Sequence, residues 1–168
     1  MAHALVAALA LLMAGCTLQP NVASVAPNAR VGNVAPALSG NKLDSGTLTV
    51  DFQQHKTVLV FWAAWCGPCR HEQPGLTALA GEMAQSGVQF VGVDMLDHDR
   101  ALARAFTAEF KVPYPSLYDD AGNSAARYEV DAPPSFVLVN GKGIVVGRYP
   151  GEASTAQLRA LITQKLLS

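Results

Sequence analysis

The apolar positions of this chain form short runs that are typical of β-strands. Residues 57–62 are a continuous run of β-branched and aromatic side chains, the pattern of a strand buried on both faces, and residues 88–93 form another apolar strand. Residues 47–52 alternate apolar and polar positions, as a half-buried strand does. Residues 135–139 and 144–146 are joined by Asn-Gly-Lys-Gly, which predicts an antiparallel hairpin.

Three other segments have helical spacing. The segment after Cys66 repeats apolar residues at i, i+3, i+4 and i+7, namely Leu76, Leu79, Ala80 and Met83. Residues 101–110 carry a similar apolar face, and a last helix opens with the capping-box pair Ser154 and Gln157. The order β-β-α-β-α-β-β-α predicts an α/β fold, in which a mixed central sheet with an N-terminal β extension is flanked by helices.

The first residues have the pattern of an export signal. Residues 4–13 are ten consecutive apolar residues, too few to cross a bilayer as a helix but sufficient for the core of a signal peptide. Met-Ala-Gly-Cys16 resembles a bacterial lipobox, whose cysteine is lipidated and becomes the mature N-terminus. We therefore expect a lipoprotein signal at 1–15 and lipidation of Cys16. An ordinary export signal, or a buried helix with an unmodified Cys16, is the alternative.

The segment between this signal and the first predicted strands has no periodic pattern. Residues 16–34 contain Pro20 and Pro27, so we expect a flexible tether there and a single domain over 35–168. The alternative is that part of this segment forms a strand that covers the edge of the domain.

Composition excludes several classes of protein. The 168 residues include 12 basic and 13 acidic side chains, a formal net charge of -1, which argues against nucleic-acid binding. Hydrophobic residues make up 50% and charged residues 15%, so the chain is not disordered throughout. Three cysteines are too few for a fold that is held together by disulfides.

Two of these cysteines, Cys66 and Cys69, form a C-x-x-C motif where a buried strand passes into a helix. Free amide donors and the positive end of the helix dipole then face the first thiol and stabilise its thiolate. The thiolate can attack a disulfide, and the second cysteine can resolve the mixed disulfide. Pro68 fits the first turn of the helix because no donor is needed there. The chemistry needs no metal or other cofactor beyond the redox pair.

Half of a zinc site is the competing interpretation of the motif. A zinc site needs a second pair of ligands, but the third cysteine is Cys16, far away on the tether. His55, His71 and His98 do not form such a pair. We therefore predict a redox motif and no metal.

The segment Phe-Trp-Ala-Ala-Trp-Cys-Gly-Pro-Cys-Arg-His-Glu-Gln-Pro at residues 61–74 resembles the active site of membrane-tethered thioredoxin-like proteins of the TlpA and ResA type. The resemblance extends over residues 35–168 through weaker motifs in the same order. It implies a thioredoxin fold, an extracytoplasmic location on a bacterial membrane, and exchange of disulfides in client proteins, often during cytochrome c maturation. A membrane thiol-disulfide protein would supply electrons, and we expect a monomer.

The resemblance also assigns roles to residues. Cys66 would be the attacking cysteine and Cys69 the buried resolving one. Pro133 matches the cis-proline that packs opposite the C-x-x-C loop, and Ala132 before it would offer backbone groups to a client segment. The remaining client contacts would come from the active-site loop, namely Trp65, Gly67 and Pro68.

Glu72 is the expected proton acceptor. It lies one helical turn after Cys69, and the resemblance implies that it exchanges a proton with that thiol. Val60 stands where cytoplasmic thioredoxins carry a buried aspartate, which leaves this role to Glu72 or water. The alternative is a solvated surface acid. His71 beside it is either an electrostatic modifier of the site or an ordinary surface residue.

Two other functions are known for similar cysteine motifs, a thiol peroxidase and a copper carrier. A thiol peroxidase of the peroxiredoxin class needs threonine three residues before the reactive cysteine, and Ala63 occupies that position. A copper carrier of the related type has C-x-x-x-C, one residue longer. The Gly-Pro pair between the cysteines favours a reductase, with a disulfide-forming oxidase as the alternative.

Overall fold

The structure, a computed structural model, describes residues 29–168. The strands are β1 (Ser39–Asn41), β2 (Thr47–Thr49), β3 (Lys56–Trp62), β4 (Val88–Met95), β5 (Ser116–Asp119), β6 (Ser135–Val139) and β7 (Val145–Pro150). The helices are α1 (Gly67–Ala84), α2 (Arg100–Glu109), α3 (Asn123–Arg127) and α4 (Thr155–Ile162), which continues into a π-helical turn at Thr163–Leu167.

Five strands form the central sheet in the order β5-β4-β3-β6-β7, and β1 pairs with β2 in a separate two-stranded sheet. β3 is parallel to β4 and antiparallel to β6. Because parallel strands end at the same edge, the ends of β3 and β4 lie side by side, with Trp62 opposite Asp94. The start of β6 reaches this edge too, since Ser135 pairs with Phe61. The active-site loop begins there.

The two faces of the sheet bury separate clusters of apolar side chains. One cluster joins alternate residues of β3, including Val60 and Trp62, to apolar side chains of α1, α2 and α4. The other joins Leu59 and Phe61 to α3 and to the N-terminal part of the described chain. The continuous apolar run of β3 is therefore explained by burial on both sides. The predicted thioredoxin-like arrangement of a mixed sheet between helices is confirmed.

Some elements differ from their prediction. The strand predicted at 47–52 is shorter, Thr47–Thr49, and lies outside the central sheet. The strand predicted at 144–146 runs over Val145–Pro150. β1, β5 and α3 were not predicted, because three to five residues are too few to show a repeating apolar pattern.

The boundary between tether and domain also differs from its prediction at 34/35. The amide of Gly32 donates to the carbonyl of Val145 at 2.8 Å, the amide of Val145 donates to the carbonyl of Asn33 at 2.9 Å, and Ala29 is buried. The ordered domain therefore includes residues 29–34, because they satisfy backbone groups at the exposed edge of the sheet beside β7. The predicted signal at 1–15, Cys16 and the rest of the tether lie outside the described residues.

Within residues 29–168, no helix combines the length and the apolar character that a membrane crossing requires.

Candidate active site

Cys66 and Cys69 form a disulfide at the N-terminus of α1, with an S–S distance of 1.99 Å. Cys66 is the N-cap of the helix, and its Sγ accepts a hydrogen bond from the amide of Cys69 at 3.1 Å. Cys66 and Cys69 are 3% and 1% exposed, so the surroundings strengthen this interaction. When the pair is reduced, the same amide and the helix dipole favour a thiolate on Cys66.

The end of β4 holds the loop that leads to Cys66. The amide of Ala64 donates to Oδ2 of Asp97 at 2.8 Å, and Asp97 is buried. Nε1 of Trp65 donates to the carbonyl of Leu96 at 3.2 Å. These two bonds tie the loop to the neighbouring strand, so the first cysteine is positioned by contacts outside its own helix.

Trp65 borders an apolar groove between the active-site loop and α2. Of the five exposed large apolar side chains in residues 29–168, three line this groove: Trp65, Leu96 and Leu102. The groove has a volume of about 480 Å³. Its rim is charged, because Nη2 of Arg70 donates to the carboxylate of Glu109 at 2.6 Å. An apolar surface with a polar rim is typical of a protein-binding site.

The proline loop requires a correction. The cis peptide bond joins Pro133 to Pro134, so Pro134 is the cis-proline, and the prediction that Pro133 has this role is wrong. Two consecutive prolines both permit a cis bond, and the sequence does not distinguish them. The residue before the cis-proline is accordingly Pro133 rather than Ala132. Pro133 has no backbone N–H to offer a client, and the carbonyl of Ala132 already accepts from Oγ of Ser135 at 2.8 Å.

Glu72 lies on α1 between the active site and the start of α4. Its Oε2 accepts a hydrogen bond from the amide of Ala153 at 3.0 Å, and it lines a narrow apolar gap with Phe136 and Leu158. Burial raises the pKa of Glu72 to about 7, and the Ala153 hydrogen bond opposes that rise. The carboxyl group can therefore both accept and release a proton near neutral pH.

His71 points away from the core and reaches the segment before α4. Its Nδ1 lies 2.5 Å from Oε1 of Glu152, and its side chain is 84% exposed. The hydrogen bond and the charge of Glu152 raise the pKa of His71 above its ordinary value. His71, Glu72 and Glu152 together line an open cavity of about 420 Å³.

Asp94 is a second acid near the site, and it was not singled out from the sequence as a functional residue. It is 0% exposed, and Nε1 of Trp62, opposite it in the sheet, has no hydrogen-bond partner among residues 29–168. Burial, together with the negative charges of Asp97 and Asp119, raises the pKa of Asp94 to about 8. The sequence does contain one signal for this residue, because Asp94 directly follows the apolar strand predicted at 88–93.

In the part of the chain that the structure describes, no group of three or more His, Cys, Asp or Glu residues is arranged to hold a metal ion.

The sequence comparison assigns the family. A family model described as the AhpC/TSA family matches residues 31–148, which is more than half of the chain. The chain belongs to the AhpC/TSA family.

Several proteins similar to this chain are named for thiol-disulfide exchange. The thiol:disulfide interchange protein HelX of Rhodobacter capsulatus is 34% identical, over 80% of this chain and 76% of that protein. The thiol-disulfide oxidoreductase ResA of Bacillus cereus is 27% identical, over 86% and 83% of the two chains. The solved structure of Mycobacterium tuberculosis DsbF, in mixed oxidised and reduced forms, is 28% identical, covers 76% and 93%, and has a TM-score of 0.69. This chain is a thiol-disulfide oxidoreductase with a thioredoxin-like fold.

The structure of this oxidoreductase brings some of the predicted site residues together. Gly67 and Pro68 form the first turn of α1 between the two cysteines, and Trp65 is exposed beside them. Val60 is part of the apolar core. Sequence reasoning missed Asp97, which holds the active-site loop, and Glu152, which contacts His71. Neither contact is visible in the sequence, because 33 residues separate Ala64 from Asp97 and 81 separate His71 from Glu152.

Proposed function

We propose that this oxidoreductase reduces disulfides in client proteins, with Cys66 as the nucleophile. The Cys66 thiolate attacks one client sulfur, a Cys66–client disulfide forms, and the client's own disulfide breaks to release a thiolate. Cys69 then loses its proton and attacks Sγ of Cys66, which forms the Cys66–Cys69 disulfide and releases the second client thiolate. Two electrons pass to the client. The observation that carries the proposal is the position of Cys66 at the N-terminus of α1, where its Sγ accepts a hydrogen bond from the amide of Cys69.

Glu72 is the proposed acceptor of the Cys69 proton. It follows Cys69 by one helical turn, and its pKa of about 7 allows it to take up a proton from the thiol and release it again. No acid stands at Val60 in β3, and Glu72 is the carboxyl group of α1 that follows Cys69 by one turn.

Clients are proposed to bind on the loop side of the disulfide. The apolar groove of Trp65, Leu96 and Leu102 would hold an apolar side chain next to the client cysteine. Gly67 and Pro68 would lie under the client backbone, and Pro133 would offer its carbonyl.

The proposed location is outside the cytoplasm of a bacterium, with the domain attached to a membrane through lipid on Cys16. The apolar run at 4–13 and the following Met-Ala-Gly-Cys16 support it. Two acyl chains make a stable anchor, whereas one gives only marginal binding. A membrane thiol-disulfide protein would supply electrons, and maturation of c-type cytochromes would supply clients.

Intact-mass spectrometry of native protein tests the anchor and should show loss of residues 1–15 and an added lipid mass. An unmodified Cys16 in soluble protein would exclude the anchor.

Reduction of insulin disulfides tests the catalytic roles. Cys66→Ser should abolish the activity, because it removes the nucleophile, and Cys69→Ser should accumulate a mixed disulfide. Full activity of either variant would contradict the proposal. A reductase also requires a potential nearer to that of thioredoxin, about -270 mV, than to that of a strong oxidant such as DsbA, about -120 mV. A value near the second would favour the oxidase.

A peroxidase is the second candidate, because the peroxiredoxin fold elaborates the same core that the family match identifies. The observation against it is Ala63, a buried residue at the position of the required threonine. Consumption of hydrogen peroxide by reduced protein, at a rate comparable to insulin reduction, would favour the peroxidase.

A further inference from the structure

The hydrogen-bonded pair His71–Glu152 lies directly in front of the half-buried carboxyl group of Glu72. His71 precedes Glu72 on α1, and Glu152 precedes Ala153, whose amide is bonded to Glu72. The segment Glu152–Ala153 therefore contacts both residues of α1. The side chain of Glu152 contacts His71, and the backbone amide of Ala153 donates to Glu72. The three side chains share one cavity that opens to solvent.

The position of this segment is well defined by its neighbours. Ser154 and Gln157 form a reciprocal capping box at the start of α4. α4 also packs closely on α1, since a Cβ on Gly75 would lie 2.2 Å from Oγ1 of Thr155. The amide of Ala153 is consequently presented to Glu72 from a rigid support.

The groups that act on Glu72 come from several elements. His71 lies on its own helix, Glu152 and the Ala153 amide lie before α4, and Tyr114 lies before β5, where the charge of Glu72 contributes to raising the tyrosine pKa. β6 contributes the apolar ring of Phe136. Glu152 raises the pKa of Glu72 and His71 lowers it, the effect of Glu152 being the larger.

We propose that His71 and Glu152 are positioning residues that govern when Glu72 takes up and returns the proton of Cys69, and that the cavity in front of them is the proton's route to solvent. The inference rests on the proposed function. In the resolving step the Cys69 thiol loses its proton to a carboxylate oxygen of Glu72 and its thiolate attacks Cys66. The proton then leaves Glu72 for water in the cavity, so the carboxylate is restored before the next cycle.

The chemistry predicts opposite effects for the two charges. The resolving step needs ionised Glu72, so its rate should rise with pH through a midpoint. His71→Gln removes the positive charge that His71 carries when protonated and should raise that midpoint, whereas Glu152→Gln removes a negative charge and should lower it. Shifts of about 0.5 pH unit, or roughly threefold in rate below the midpoint, are expected for exposed charges. A residue that only supports the fold would not move the midpoint in opposite directions.

The experiment is stopped-flow reduction of a disulfide-linked client peptide by the full chain between pH 5.5 and 8.5, with the resolving step followed by intrinsic fluorescence. His71→Lys keeps a positive charge and should return the midpoint to the wild-type value or below. The matched control is Arg159→Gln, which removes an exposed ion pair between α4 and α1, Arg159–Glu82 at 2.7 Å, and should leave the midpoint unchanged.

The outcomes separate the inference from the function it rests on. Wild-type protein that does not reduce the peptide would contradict the proposed function. A different outcome would overturn the inference alone: the wild-type protein reduces the peptide, but the midpoints of His71→Gln and Glu152→Gln coincide with the wild-type midpoint or shift in the same direction. A Glu72→Gln variant that keeps the wild-type midpoint would contradict both the inference and the proposed role of Glu72 as proton acceptor.

Discussion

Asp94 and Glu72 are both acids with a raised pKa, but the regions that surround them differ. Asp94, at the end of β4, is completely buried beside another acid, Asp97. Glu72, on α1, accepts a backbone hydrogen bond and faces an open cavity with His71 and Glu152. A raised pKa is therefore not sufficient evidence of catalysis. A catalytic acid also needs a path by which protons come and go, and only the α4 side of this site offers one in the described structure.

The two regions also divide the remaining tasks. The β4 and α2 side holds the loop of Cys66 through Leu96 and Asp97 and presents the apolar groove of Trp65. The α4 side holds Glu72 through Ala153. We expect changes on the first side to affect stability and client binding, and changes on the second side to affect the pH dependence of exchange.

The largest expected effect comes from Asp94→Asn, measured as free energy of unfolding at several pH values. Folded Asp94 keeps its proton up to a pKa of about 8, whereas in the unfolded chain it ionises near its ordinary value of 3.8. The contribution of Asp94 to the free energy of unfolding is fully present below pH 3.8. It declines as the pH rises and stops declining above about pH 8. The slope between pH 5 and 7 is about 1.4 kcal/mol per pH unit for one proton.

Asn should remove this contribution to the slope and leave the rate of the resolving step within about twofold of wild type, a change of only about 0.4 kcal/mol in the barrier. Denaturant titrations of the oxidised protein at pH 5, 6, 7 and 8 measure the slope. If the variant's stability has the same dependence on pH as that of wild type, Asp94 is not the group that causes it. A much slower resolving step would show that Asp94 takes part in the exchange.

The second prediction concerns Glu72→Gln. Loss of the proton acceptor should slow the resolving step about 10- to 100-fold, at or below the lower end of the range for general acid–base catalysis. It should also lower the pKa of at least one cysteine, because a nearby carboxylate disfavours a thiolate. Stopped-flow kinetics and pH-dependent alkylation measure the two quantities. If both match wild type, Glu72 takes no part in the exchange.

The third prediction sharpens the assignment of the groove. Trp65→Ala should slow reduction of a protein client about tenfold, since a single aromatic anchor can contribute more than about 1 kcal/mol to an interface. Reduction of a small disulfide such as oxidised glutathione should change much less. Val31→Ala is the matched control, because Val31 is as exposed as Trp65, 60% for each, and does not line the groove. Equal losses for both substrates would exclude client docking at Trp65.

The sequence predicts the parts of this molecule that rest on local patterns. The buried strands around 57–62 and 88–93, the helix after Cys66 and the capping box at Ser154 all follow from spacing within one segment. The C-x-x-C motif is of the same kind, because the chemistry of its thiols depends on the strand and helix that flank it.

Features set by contacts between distant segments could not be predicted in this way. The choice of Pro134 over Pro133 for the cis bond depends on the surrounding fold. The pairing of residues 29–34 with the β7 region depends on an exposed sheet edge that exists only after folding. The burial of Asp94 and the contact of His71 with Glu152 likewise arise from packing between elements that are far apart in sequence.

The central claim is that Cys66 is the nucleophile because its Sγ caps α1 and accepts a hydrogen bond from the amide of Cys69. Brief alkylation of the reduced full chain at pH 7, quenched and analysed by peptide mass spectrometry, distinguishes the two thiols, and the peptide of Cys16 is resolved separately. We predict that Cys66 is labelled on the order of 10-fold faster than Cys69, with a pKa below the ordinary value of about 8.5. Equal labelling, or faster labelling of Cys69, would contradict the account.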